Sequence, residues 1–227
     1  MNGKIALAGG GSAADSCLLD ALFAQWIGSQ GQMLYLPLAM RGLIPYDDGF
    51  AWIQTTFASF SVDKITMWTD LTGHTGEELG DFAGVYIGGG NTYSLLAQLL
   101  ESGFAQHLVD YVQGGGAIYG GSAGAVILGK DLRTITHLDR NEIGLVETQC
   151  LNLAADHAIW VHYMPQDDAL ITDFRQQTGQ PVFAISERSG IVIEKGAWRT
   201  VGFETAYQFN ESGKRAIVFS HPNSPIP

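Results

Sequence analysis

Short continuous apolar runs recur along this chain, each stopped by glycine, proline or a polar cluster. Between them lie longer stretches in which apolar residues return at helical spacing. Lys4 to Ala8 reads as a buried strand, followed by Gly9-Gly10-Gly11 and a helix from Ser12 to Ile27. Met33 to Leu38 is the next strand, closed by Pro37 and a loop through Pro45. Phe50 to Phe60 reads as a helix, and Lys64 to Trp68 as a third strand. Gly84 to Ile87 is a fourth strand, running into Gly88-Gly89-Gly90-Asn91, with helices over Thr92 to Glu101 and Gly103 to Gln113. Ala117 to Tyr119 is a fifth. Strands alternating with helices in this way predict βαβ units and an α/β fold: a mostly parallel central sheet flanked by helices.

After Leu132 the rhythm changes. Ile159 to Tyr163 reads as a strand and Gln166 to Gln177 as a helix. Four short strands then crowd together, Pro181 to Ile185, Ile191 to Glu194, Arg199 to Gly202 and Arg215 to Phe219. They predict antiparallel C-terminal edge strands on the same sheet. With no repeat or linker, residues 1–220 read as one domain and 221–227 as a loose tail.

The 227 residues and their 46% hydrophobic content suit one sizeable globular core. The formal charge of −11 argues against nucleic acid, whose binders carry a basic face. The apolar runs are too short for a signal peptide or a membrane span. The two cysteines, Cys17 and Cys150, suggest no disulfide framework, and a cytoplasmic setting is the simplest expectation.

The most informative stretch follows the fifth strand. Gly120-Gly121-Ser122-Ala123-Gly124 is G-x-S-x-G between a strand and a helix-compatible tail, the pattern of a nucleophile elbow. The turn exposes the serine hydroxyl and frees the next amide, and its small neighbours allow so tight a bend. The Gly88–Asn91 turn supplies further amides at a helix start. Gly89, Gly90 and Ala123 are therefore candidates for an oxyanion hole, with Asn91 and Thr92 as candidate substrate contacts.

A serine needs a base, and the base needs a group that orients it. Of six histidines, His162 at a strand's carboxyl end is best placed, and His157 just before that strand is the alternative. Glu187 follows another apolar strand and leads the acids; Asp139, Asp156, Asp167 and Asp168 stay open. Gly9-Gly10-Gly11-Ser12-Ala13-Ala14 fits a dinucleotide fingerprint, but the second strand ends Leu36-Pro37-Leu38 without the acid such a site requires. The first cluster therefore reads as a tight turn, and no cofactor is expected. His157 and His162 lack metal-ligand spacing, so no metal is expected either. Cys150 has no glycine turn around it.

These residues resemble the peptidase E family, which includes aspartyl dipeptidases and cyanophycinases. The resemblance is carried by Tyr86-Ile87-Gly88-Gly89-Gly90-Asn91-Thr92, Gly120 to Ala125, Trp160-Val161-His162-Tyr163 and Ala184 to Gly190, in the family's order. It implies a class I glutamine-amidotransferase-like fold and a triad of Ser122, His162 and Glu187. Val161 stands where the family often has proline, and Arg188 where it often has glycine. Asp139 approximates an acid important in some members. The segment from His162 to Glu187 is shorter than expected for aspartyl dipeptidases.

These features predict a serine peptidase acting on dipeptides or short peptides, as a monomer or homodimer; the resemblance adds an acidic N-terminal residue as a candidate preference. An acidic substrate would call for a cation at the site, from Arg41, Arg133, Arg140, Arg175 or Arg188. An amidase or esterase on the same scaffold, or an inactive ligand-binding relative, are the alternatives.

Overall fold

The computed structural model describes residues 2–219; the expected tail at 221–227, with His221, lies outside them. The chain runs through β1 (Lys4–Ala8), α1 (Ala13–Ile27), β2 (Met33–Leu36), α2 (Tyr46–Ala58), β3 (Ile65–Met67) and β4 (Gly84–Ile87). It continues through α3 (Thr92–Glu101), α4 (Phe104–Gln113), β5 (Ala117–Gly121), α5 (Ala123–Leu128), β6 (Ala158–Trp160) and α6 (Asp168–Thr178). It closes with β7 (Val182–Ala184), β8 (Ser189–Glu194), β9 (Ala197–Gly202), β10 (Tyr207–Asn210) and β11 (Gly213–Ala216). No helix among the described residues is long and apolar enough to cross a membrane.

The main sheet has the order β3-β2-β4-β5-β1-β8-β9. The first five strands pair in parallel, and β8 and β9 add an antiparallel edge beside β1. Both faces are covered, which explains runs without polar alternation. Ile5, Leu7, Leu34, Leu36, Val85, Ile87 and Ile118 point to one face, where α3 and α5 pack. Ala6, Ala8, Met33, Tyr35, Tyr86 and Tyr119 point to the other, against α1 and α2. There Tyr86 and Tyr119 stack with centroids 4.4 Å apart, and Phe23 meets both edge-on. α1 and α5 thus leave neighbouring strands β1 and β5 toward opposite faces. Such a switch opens a crevice at the strands' carboxyl ends.

The expected single sheet needs correction at its C-terminal part. Only β8 and β9 extend the main sheet. β6, β7, β10 and β11 form a second sheet, order β11-β10-β7-β6, with β6 and β7 parallel. It has its own core, in which Trp160, Tyr163, Ile171 and Phe209 pack together. β10 had no clear signal in the pattern. The second strand stops at Leu36, because Pro37 opens a short 3₁₀ turn at Leu38–Met40. α2 starts at Tyr46 behind Pro45, earlier than the apolar pattern indicates, with Asp47 and Asp48 in its first turn. β5 runs on to Gly121, since β1 pairs with it up to the Ala8–Gly121 position. β6 stops at Trp160, so His162 stands beyond the strand rather than in it.

One buried acid sits on the aromatic face. Asp20 is 1% exposed; Tyr119 Oη donates to it at 2.7 Å and Ser16 Oγ at 2.7 Å. Burial raises its carboxyl from the ordinary 3.8 to about 6, although the two hydroxyls draw it down. The folded chain therefore holds this proton more tightly than the unfolded chain. Its contribution to stability is full below about pH 4 and is lost as pH rises through about 6. Thermal melts from pH 4 to pH 8 should show this as a decline that Asp20→Asn flattens, by about 3 kcal/mol at most. An unchanged slope in the variant would refute it.

Candidate active site

Ser122 sits between β5 and α5 with φ 49° and ψ −110°, a strained conformation for any residue with a side chain. Its N–H donates to Ala8 O at 3.1 Å, which ties the turn to the end of β1. The neighbours are small by necessity. A Cβ on Gly120 would lie 2.5 Å from the Gly124 backbone, and one on Gly124 would lie 2.3 Å from Ile87 O. The turn therefore closes only with glycine on both sides of Ser122, and the hydroxyl projects into the crevice.

Ser122 Oγ lies 2.9 Å from His162 Nε2, and His162 Nδ1 lies 2.8 Å from Glu187 Oε1. The second sheet brings the last two together. β6 and β7 run in parallel with Trp160 opposite Ala184. Past that point Ile185 N–H donates to Trp160 O, and Tyr163 N–H donates to Ile185 O. His162 and Glu187 emerge a few residues beyond this shared register. The His162 backbone is left-handed, φ 51°, and its N–H donates to Gly9 O at 2.9 Å, fastening the second sheet to the first. Glu187 keeps half its side chain in water, and His162 a third.

The first glycine cluster belongs to this site, which the sequence reading missed. A Cβ on Gly10 would lie 2.2 Å from His162 Cε1, and one on Gly9 would lie 2.1 Å from Ser186 O. Gly11 has Glu187 Cβ at 3.0 Å from the same construction. Gly10 and Gly11 are also at positive φ, 113° and 82°. The signal was present: three consecutive glycines at a strand end, without the acid of a dinucleotide site, mark a close approach of other backbone.

Gly89 packs against the serine, where a Cβ would meet Ser122 Cβ at 3.3 Å. The amides on either side of the Gly89-Gly90 pair are taken, Gly88 N–H by Leu36 O and Asn91 N–H by Ala39 O. Ala123 opens α5 directly after the serine. Asn91 caps α3 and stands on neither cavity wall beside Ser122: its Oδ1 accepts from Ser94 N–H at 2.9 Å, and its Nδ2 donates to Arg140 O at 3.0 Å. Thr92 does line the cavity that contains Ser122 and Glu187.

Neither alternative triad member is placed for that role. His157 is buried and stacked on Phe183 at 3.8 Å, with Nδ1 on Ala155 O and Nε2 on Gln208. Burial lowers its basicity, which two backbone carbonyls partly offset. Asp139 accepts from Thr92 N–H at 2.7 Å, at the start of α3, and forms part of the cavity wall. Of the other acids, Asp156 pairs with Lys130 and Asp168 with Lys214 and Tyr163. Burial drives the Cys150 thiol far above its ordinary range, so no thiolate is available there.

Two cavities flank Ser122 and His162. One, of about 420 Å³, has the aromatic face of the main sheet as its wall; the other, of about 400 Å³, reaches Thr92, Asp139 and Glu187. None of the five candidate arginines lines either one. Arg133 pairs with Asp131, and Arg188 lies near Asp15 and Glu204 above the Phe203 ring. Arg41 and Arg175 line separate surface cavities.

An elbow serine with an imidazole in hydrogen-bond reach and a carboxylate behind it marks the class: α/β proteins built around a Ser-His-acid arrangement. Residues 5–201 match the model of peptidase family S51, and the chain belongs to that family. An uncharacterized peptidase of Pasteurella multocida (strain Pm70) is 30% identical over 78 residues, 34% of this chain and 38% of that protein. Peptidase E of Streptomyces coelicolor (strain ATCC BAA-471 / A3(2) / M145) is 29% identical over 120 residues, 48% of each chain. The chain thus aligns with about half or less of the length of these curated relatives. Two crystal structures share the fold. One, a peptidase from an acI-B1 actinobacterium, has a TM-score of 0.75 at 17% identity, covering 97% of this chain and 96% of that one. The other, from Listeria monocytogenes EGD-e and assigned as a peptidase E protein, has a TM-score of 0.72 at 20% identity, covering 90% and 100%.

The contact between Gly10 and His162 gives a test. Gly10→Ala should push the imidazole away from Ser122 and slow labelling of Ser122 by a serine-directed phosphonate about a hundredfold, with the circular dichroism of the fold retained. Wild-type labelling in that variant would show that the ring position does not depend on Gly10.

Proposed function

We propose that this chain is a serine peptidase that hydrolyses dipeptides or short peptides through an acyl-enzyme on Ser122. The observation that carries the proposal is the continuous path Ser122 Oγ to His162 Nε2, and His162 Nδ1 to Glu187 Oε1, at 2.9 Å and 2.8 Å. In this reading His162 takes the Ser122 proton as the oxygen attacks the scissile carbonyl. The Glu187 carboxylate holds the Nδ1 proton and so presents Nε2 as the acceptor; it stabilises the imidazolium that forms. The oxyanion rests on amides from Gly89, Gly90 and Ala123. His162 then delivers its proton to the leaving amine. Water attacks the acyl-enzyme with the same base, and Ser122 is regenerated.

The family assignment and the peptidase E relatives support peptide hydrolysis over ester chemistry. Two compact cavities that meet at Ser122 suit a substrate of one residue on each side of the scissile bond. Preference for an acidic N-terminal residue, which the resemblance implies, finds no lysine or arginine on either cavity wall and does not form part of the proposal.

Ser122→Ala should lower kcat on a cleaved dipeptide by at least about 10⁴-fold with the fold intact. Glu187→Gln should lower it about a hundredfold, less than a fully buried acid would, because water reaches the carboxylate. Mass spectrometry should find acyl mass on the peptide containing Ser122 alone. Full activity in Ser122→Ala, or cleavage of esters and simple amides but no dipeptide, would overturn the proposal.

A further inference from the structure

The cavity of about 420 Å³ beside Ser122 differs in character from the cation-bearing pocket that an acidic substrate needs. Its walls are Met40, Ile44, Trp52, Tyr86 and Tyr119, and its floor is glycine backbone around the serine. Trp52 meets Tyr86 edge-on at 6.4 Å, which continues the buried aromatic stack out to the cavity mouth. Two of these apolar side chains stand in water at the mouth, Ile44 at 50% exposure and Trp52 at 38%. An apolar ligand group would remove that surface from water.

The shape also depends on a glycine inside a helix. Gly49 lies in the first turns of α2, where a Cβ would press on Met40 Sδ at 2.9 Å. Its absence leaves room for the Met40 side chain beside the helix.

Charge points the same way. The one carboxylate on this cavity is Asp48, and the second cavity carries Asp139 and Glu187. A substrate carboxylate in this cavity would exchange its water for the like charge of Asp48 and meet no lysine or arginine. We infer that this cavity is a specificity pocket for a large apolar or aromatic side chain on one side of the scissile bond, with Trp52 and Ile44 as the residues that recognise it. The inference rests on Ser122 being the reacting group.

Binding and turnover separate the two claims. With Ser122→Ala, which removes turnover, calorimetry would compare Phe-Ala, Ala-Phe, Leu-Ala, Ala-Leu, Lys-Ala and Asp-Ala against Ala-Ala. At least one Phe or Leu peptide should bind about tenfold tighter than Ala-Ala and than Asp-Ala. Trp52→Ala on the same background should remove most of that gain. Ile44→Arg, a change at an exposed position, should instead tighten Asp-Ala about fivefold by supplying the missing cation. Equal or tighter binding of Asp-Ala or Lys-Ala, an apolar preference that survives Trp52→Ala, or no binding of any peptide would each overturn the inference. Wild-type hydrolysis of the same panel reads the other claim: selective binding with no cleavage would sink the peptidase proposal and leave only the apolar binding preference of the cavity standing.

Discussion

The site depends on one close approach, the packing of the His162 loop onto backbone that has no side chains. Gly9 accepts the His162 N–H, Gly10 lies under the imidazole, and Gly11 faces Glu187. Each contact brings a residue of the second sheet against the end of β1. The same end of β1 holds Ser122 through Ala8 O. One strand end therefore sets the distance between Ser122 and His162, and a single added methyl group there would reach the ring. Strain is stored on both partners, since Ser122 and His162 are both at positive φ.

That arrangement explains why the fold needs two sheets. The main sheet supplies the serine from β5 and the glycine turns from β1 and β4. The second sheet supplies His162 and Glu187 from the ends of two strands in parallel register. Had β6 and β7 joined the main edge, His162 and Glu187 would have been carried away from the switch between β1 and β5. The antiparallel pair β8 and β9 takes that edge instead. The aromatic face that packs α1 and α2 then does a second task, because the buried Tyr86 and Tyr119, with Trp52 at the rim, form a cavity wall beside Ser122.

Much of this was legible along the chain. The elbow glycines announce themselves because Gly120 and Gly124 must pass within backbone contact of one another. His162 and Glu187 each follow an apolar run, which put them at strand ends. Other residues were misread for physical reasons. Asn91 looked like a substrate contact, yet its side chain satisfies one amide in the first turn of α3, a demand every helix makes. His157 looked like a rival base, yet it is enclosed by Phe183 and Trp198. Gly9 to Gly11 looked like a simple turn, because the atoms that crowd them come from far along the sequence.

Local sterics and hydrophobic period act over a few residues, so the strands of the parallel sheet, the glycine turns and the serine elbow are written locally along the chain. Which acid stands behind His162, which strands leave the main sheet, and what charge surrounds Ser122 were decided only in the tertiary structure. Those properties arise where segments distant in the chain meet: β6 beside β7, Gly10 under His162, and Trp52 against Tyr86. No local pattern encodes such meetings, because their free energy is gained only once both partners have been brought together.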